Sequence, residues 1–155
     1  MKNVRCRAML ALRSSCATVA LTALFAAASV QAQDLPAGGS PADPSTVSIA
    51  TGPNQVTVTQ TSQRGVINWN SFNVAQGNSI VFVQPDAGAA TLNRVTGGTS
   101  STIAGQIRAN GSVYLINPNG IAITSTGSVR TGGGFVASTL GITDSDFNRG
   151  TDRFT

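Results

Sequence analysis

The sequence predicts an all-β fold on three observations. From Thr46 onward, apolar residues alternate with small polar ones in short runs of about five residues, a common strand length. Gly, Asn, Pro and Asp interrupt these runs at close intervals, and all seventeen glycines lie after residue 32. No stretch has a 3.6-residue apolar period opened by a capping box, so helices are expected to be few.

Residues 1–32 read as a cleavable export signal rather than as part of the fold. Lys2, Arg5, Arg7 and Arg13 make a basic start without an acid, and an Ala/Leu-rich run from Ala17 to Ala28 follows. Val30-Gln31-Ala32 offers small residues for a signal peptidase, with cleavage expected between Ala32 and Gln33. A spanning helix needs about 20 strongly apolar residues, and this run is shorter and mostly alanine. Residues 33–45 contain Pro36, Gly38, Gly39, Pro41 and Pro44 without apolar periodicity, and read as a flexible leader.

The body is expected over residues 46–155. Val47 and Ile49 alternate before Gly52-Pro53-Asn54, and Val56 and Val58 alternate after it. Val66-Ile67 leads through Trp69, Phe72 and Val74 to Gly77-Asn78, and Ile80–Val83 stops at Pro85-Asp86. The pattern recurs before Asn110-Gly111, Asn117-Pro118-Asn119-Gly120, Thr126-Gly127 and Gly132-Gly133-Gly134. A sandwich, a barrel and a stacked β-solenoid all fit. Asn-Gly favours hairpins, but Asn and Gly also supply the positive-φ corners of a parallel β-helix.

Charge and chemistry narrow the function classes. Once residues 1–32 are set aside, six arginines face six aspartates, so the basic balance of the whole chain belongs to the signal. Nucleic acid as a partner thereby loses its compositional support. Cys6 and Cys16 leave with the signal, and the remainder holds no Cys, His, Lys, Glu or Met. Such a chain cannot be locked by a disulfide in the periplasm, which suits passage across a second membrane unfolded. An enzyme on a β-helix, such as a polysaccharide lyase or hydrolase, would need a clustered acid and base that the scattered aspartates do not supply. No catalytic residue, cofactor or metal is expected.

Five ordered segments carry a resemblance. They are Gly65–Val74, Thr91–Gly98, Ile103–Gly111, Val113–Ile121 and Gly134–Leu140. Together they resemble the filamentous haemagglutinin-type N-terminal domain, also called the two-partner-secretion or haemagglutination-activity domain. The stretch Val83–Arg94 lacks the inserted Asn-Pro-Asn-Leu segment of one branch, and so looks closer to the high-molecular-weight adhesin branch. The resemblance implies a right-handed parallel β-helix with an N-terminal cap. It also implies passage by the Sec machinery and signal peptidase into the periplasm of a Gram-negative bacterium. There, an outer-membrane transporter with periplasmic POTRA domains would recognise the domain and start export of a long adhesin to the surface or medium. Host-cell receptors or glycans would then be met by a downstream passenger. Because family domains continue beyond this length and no closing cap is visible at Asn148–Thr155, the solenoid is expected to be truncated and open-ended.

Particular residues have two readings each. Asn117-Pro118-Asn119-Gly120 suits a turn, with Pro118 presetting φ, and is also the candidate secretion motif. Asn93 and Arg94 are candidate transporter or folding contacts, against a local ion pair of small value. Trp69 and Phe72 are expected to be buried. Asn110-Gly111-Ser112 matches a glycosylation sequon, which the Asn-Gly turn explains sufficiently. Asp144 and Asp146 read as a polar loop near a strand end. The competing function is a stand-alone carbohydrate- or cell-binding β-helix module.

Overall fold

A computed structural model describes residues 34–155. The expected signal peptide and the expected cleavage between Ala32 and Gln33 lie outside the described residues. The strands are β1 (Ser40–Pro41), β2 (Val47–Thr51), β3 (Gln55–Gln60), β4 (Arg64–Trp69), β5 (Ser79–Val83) and β6 (Ala90–Val95). They continue with β7 (Ser101–Ile103), β8 (Gln106–Ala109), β9 (Ser112–Ile116), β10 (Ile121–Ile123), β11 (Ser128–Thr131) and β12 (Gly134–Ser138). A single helix, α1 (Asp144–Arg149), follows them among the described residues.

Of the three all-β candidates, the chain adopts the β-solenoid, with about four turns. Sheet I has the order β1-β4-β6-β9-β12, sheet II β11-β8-β5-β3-β2 and sheet III β10-β7. From β3 onward every ladder is parallel, and each strand pairs with its counterpart one coil away. Parallel strands need a connection that leaves the sheet and returns, and here the other faces of the coil provide it.

In-register stacking explains the short apolar alternations. Val56, Ile80, Ile107 and Val129 are successive Cα partners along sheet II, with the first three wholly buried. Opposite them, Ile67, Trp69, Val113 and Leu115 of sheet I close the interior, and Ile103 of sheet III completes it. Side chains alternate across a strand, so each coil puts every second residue into one continuous core. Trp69 and Phe72 are both buried and meet edge to face at a 5.6 Å centroid separation.

Asn110-Gly111 is a corner and not a hairpin, lying between β8 and β9 on adjoining sheets. Gly111 has no positive φ; it is needed for space, because a Cβ there would lie 2.4 Å from the Ala89 carbonyl oxygen of the preceding coil. Gly120 does meet the positive-φ expectation, at φ 106°.

Two segments depart from the sequence reading. Residues 34–45, read as a flexible leader, are laid against the first coil: β1 pairs antiparallel with β4, and Ala37 bridges Ser71. Pro41 is tolerated because β1 is the edge of its sheet. Together with β2, antiparallel to β3, it caps the N-terminal side of sheets I and II.

The second departure is at Asp144 and Asp146, read as a polar loop. They form the first turn of α1, where the Thr143 side chain accepts from the Asp146 amide and Gly150 closes the helix at φ 70°. In return the Thr143 hydroxyl donates to Asp146 Oδ2 at 2.8 Å, so the N-cap and the third helical residue hold each other. Acids in the first turn and Arg149 in the last also complement the helix dipole.

Candidate functional site

The Asn117–Gly120 segment joins β9 to β10. Asn117 is wholly buried, donating from Nδ2 to the Thr99 carbonyl at 3.0 Å and to Ser101 Oγ at 2.9 Å. Its Oδ1 accepts the Asn119 amide at 2.9 Å, and its carbonyl accepts the Gly120 amide at 3.0 Å. Asn119 Nδ2 donates to the Gly97 carbonyl of the preceding coil at 2.9 Å. The motif thus has two parts. Asn117 is a structural bracket between coils, while Pro118 and Asn119 stand exposed.

Asn93 and Arg94 are neighbours in β6 but face opposite ways. Asn93 is wholly buried in the interior, where Oδ1 accepts Trp69 Nε1–H at 3.0 Å and Nδ2 donates to the Tyr114 carbonyl at 3.2 Å. It gives the indole a partner inside an apolar core, as a buried N–H requires. Arg94 points outward, with Nη2 2.7 Å from both the Ile142 carbonyl and Asp144 Oδ1. Nη1 donates to Asn68 Oδ1 at 3.2 Å. In the folded chain both residues are engaged internally.

Arg94 belongs to a cluster that periodicity does not reveal. Residues 142–155 run back over the outer face of sheet I as a strap. Phe147 is wholly buried there in a second apolar core with Val66, Leu92, Ile116 and Ile142. Arg64 sits over the Phe147 ring at 4.9 Å, donates to the Phe147 carbonyl at 2.9 Å and lies 3.9 Å from Asp152. Tyr114 meets the same ring edge to face at 5.3 Å and donates its hydroxyl to Asp152 at 2.9 Å. Burial, followed by the hydrogen bond to Asp152, pushes the Tyr114 phenol above its ordinary value. The hydrogen bonds from Thr143 and Arg149 hold the Asp146 carboxyl below its usual range. One strap therefore touches β4, β6 and β9, three successive coils.

A polar ladder occupies the corner between sheets II and I. Thr91 donates to Gln60 Oε1 at 2.6 Å, and Gln84 Nε2 donates to Thr91 Oγ1 at 2.9 Å and to the Ser112 carbonyl at 2.9 Å. Gln84 Oε1 accepts the Gly111 amide at 2.7 Å. Asn110 brackets the same corner: its Oδ1 accepts the Gln84 amide at 2.7 Å and its Nδ2 donates to the Gln84 carbonyl at 2.6 Å. No buried side-chain nitrogen or oxygen among the described residues lacks a partner. Gln60 could have been found in the sequence, since it shares the inward parity of Val56 and Val58. Gln84, beside Pro85 at a turn, gave no such signal.

Comparison with known proteins places this architecture. The family model described as the TPS secretion domain matches residues 32–154. A heme/hemopexin-binding protein of Haemophilus influenzae is 38% identical over 120 residues, covering 77% of this chain and 13% of that protein. A second protein of that name and species is 41% identical over 80 residues, covering 52% of this chain and 9% of its own. The crystal structure of the HMW1 secretion domain from Haemophilus influenzae superposes with a TM-score of 0.67 at 32% identity, over 74% of this chain and 30% of that one. The chain thus spans a small fraction of the curated relatives it matches.

Proposed function

The chain belongs to the TPS secretion domain family, and from that premise we propose that it directs export of a large two-partner-secretion exoprotein and nucleates its folding. A cognate outer-membrane transporter recognises the strand-forming segments in the periplasm through its POTRA domains, before they have paired with one another. Main-chain bonding to a receptor sheet suits such a low-charge, strand-rich polypeptide. The adhesive or ligand-binding activity of the whole protein belongs to the passenger that this domain leads out, at the cell surface or in the medium.

The observation that carries the reading is the polarity of the solenoid. Antiparallel β1 and β2 close the N-terminal side, while β10, β11 and β12 are the outermost strands on the other. Growth from such a cap is one-directional, because each coil contacts only its neighbours.

The test is secretion from a Gram-negative host, with and without the cognate transporter. Transporter-dependent appearance in the medium, with periplasmic retention otherwise, is the expected result. Release without the transporter, or retention despite it, would overturn the proposal.

The two halves of the Asn117–Gly120 motif separate turn from recognition. Asn117→Ala leaves the Thr99 carbonyl, Ser101 and the Asn119 amide without their partner, and should cost about 1–3 kcal/mol in urea unfolding. Secretion should fall with it. Pro118→Ala, at an exposed position, should change neither; lost secretion at unchanged stability would make the exposed half a direct contact.

A further inference from the structure

The outer face of sheet II holds the feature that secretion leaves unused. Arg108 of β8 and Arg130 of β11 are Cα partners in a parallel ladder, and both are exposed. Partners on adjacent strands lie about 4.8 Å apart, and like charges set directly side by side on a sheet repel. Among the described residues, Arg64, Arg94 and Arg149 each have a carboxylate within 3.9 Å, whereas Arg108 and Arg130 have none. The Arg108 side chain is hydrogen-bonded to Gln106 of its own strand. In a chain so sparing of charge, this is one place where two cations are stacked with nothing to neutralise them.

The surroundings say what would neutralise them. Within the row, Val81 is the Cα partner of Arg108 and Thr57 that of Val81, so no acid interrupts the face. Beside Arg108 lies a polar hollow of about 280 Å³ lined by Asn78, Ser79, Gln106 and Thr126 among others. A ligand lying across this face meets guanidinium forks, the amides and hydroxyls of the hollow, and the side chains of Val81 and Val83. Guanidinium forks take planar or tetrahedral oxyanions in bidentate fashion. Amides and hydroxyls in the adjoining hollow match sugar hydroxyls.

We propose that the outer face of sheet II binds a linear anionic polysaccharide, its acidic groups held between Arg108 and Arg130 and its hydroxyls seated in the neighbouring hollow.

Titration of the full 155-residue chain with dextran sulfate, with neutral dextran and with polyglutamate tests the assignment. The chain should bind dextran sulfate and not dextran, and R108Q/R130Q should bind about tenfold more weakly. The basic residues of the N-terminal segment are common to all variants, so this difference reads the sheet face alone. R153Q, which removes an exposed arginine elsewhere, should bind as the parent does. The dependence on salt should be shallower for the double variant, since fewer counterions are released. Both side chains are exposed, so its melting temperature should match the parent's. Unchanged binding by R108Q/R130Q, equal weakening by R153Q, or displacement of dextran sulfate by an equal concentration of polyglutamate would each overturn the proposal.

Discussion

The outer faces of sheets I and II are built from the same coils and have opposite fates. On sheet I, Val66, Leu92 and Ile116 face outward and are covered by the strap around Phe147. On sheet II, the equivalent outward positions hold Thr57, Val81, Val83, Arg108 and Arg130, with Val83 47% exposed. The interior dictates every second residue of both sheets. The outward set is free to differ, and it decides which face acquires a second layer. A parallel sheet covered on both faces is buried along nearly its whole length, as in β6, whereas one left bare keeps its alternation of buried and open positions, as in β3.

The sharpest way to break this comparison is Phe147→Ala. Removing a wholly buried Phe should cost about 3–5 kcal/mol in urea unfolding. It should also raise binding of an apolar dye, as sheet I comes to resemble sheet II in exposure. A loss below about 1 kcal/mol would mean that the strap adds little to the fold.

Arg94→Gln asks how much the polar clamp adds to the apolar one. Its ion pair with Asp144 is partly solvated, so a cost of about 1 kcal/mol is expected, mainly from the Ile142 carbonyl left without its donor.

A pH series separates the faces without mutation. Tyr114 has its folded-state pKa raised, so its contribution is complete below the unfolded value near 10 and is lost as pH rises through the folded one. Stability in urea unfolding should therefore fall above pH 10, and Tyr114→Phe should abolish that limb. On the acid side, Asp146 has a lowered pKa, so its support for α1 is present at neutral pH and lost as pH falls through its folded value. Asp43 and Asp86 are lowered too, chiefly by side-chain hydrogen bonds from Ser45 and Gln63. Acid should consequently loosen the cap and a corner together with the strap, and only the alkaline limb is specific to sheet I.

The smallest effect belongs to the bare face. Val83→Thr should change stability by no more than about 0.5 kcal/mol in thermal unfolding, because nothing packs over that position.

What was legible in the sequence follows the same division. The inward alternation of Val56 and Val58, or of Val113 and Leu115, is a local signal repeated at every coil, so strands and corners could be read directly. The choice of solenoid over sandwich came from the resemblance and not from local pattern, because partners such as Ile80 and Ile107 are set by stacking that no short window contains. The motif residues Asn117 and Asn93 were visible as motif members, but their burial was not. Burial there depends on Thr99, Ser101 and Trp69 arriving from other coils. Missing from the reading altogether were Arg64 and Phe147, which meet across most of the domain. An N-terminal cap was implied by the resemblance, but the residues that form it were not legible: Ser40-Pro41 is too short and too rich in turn formers to announce a strand, and pairing with β4 alone makes it one.

The strap also has a place in time. Hydrogen bonds between adjacent coils cross short stretches of chain, 21 residues from Asn93 to Tyr114 and 26 from Arg94 to Asn68. Those holding the strap span 38 from Tyr114, 50 from Arg94 and 83 from Arg64. Contacts of low separation close early and distant ones close late, since loop closure must precede the gain. A polypeptide delivered N-terminus first would wind its coils in order and fasten them only after its residue 147 had arrived to meet its residue 64. A fastening made after the rate-limiting step leaves the speed of folding alone and slows its reversal. The strap is then a one-way clasp: winding proceeds without it, and unwinding must first undo it.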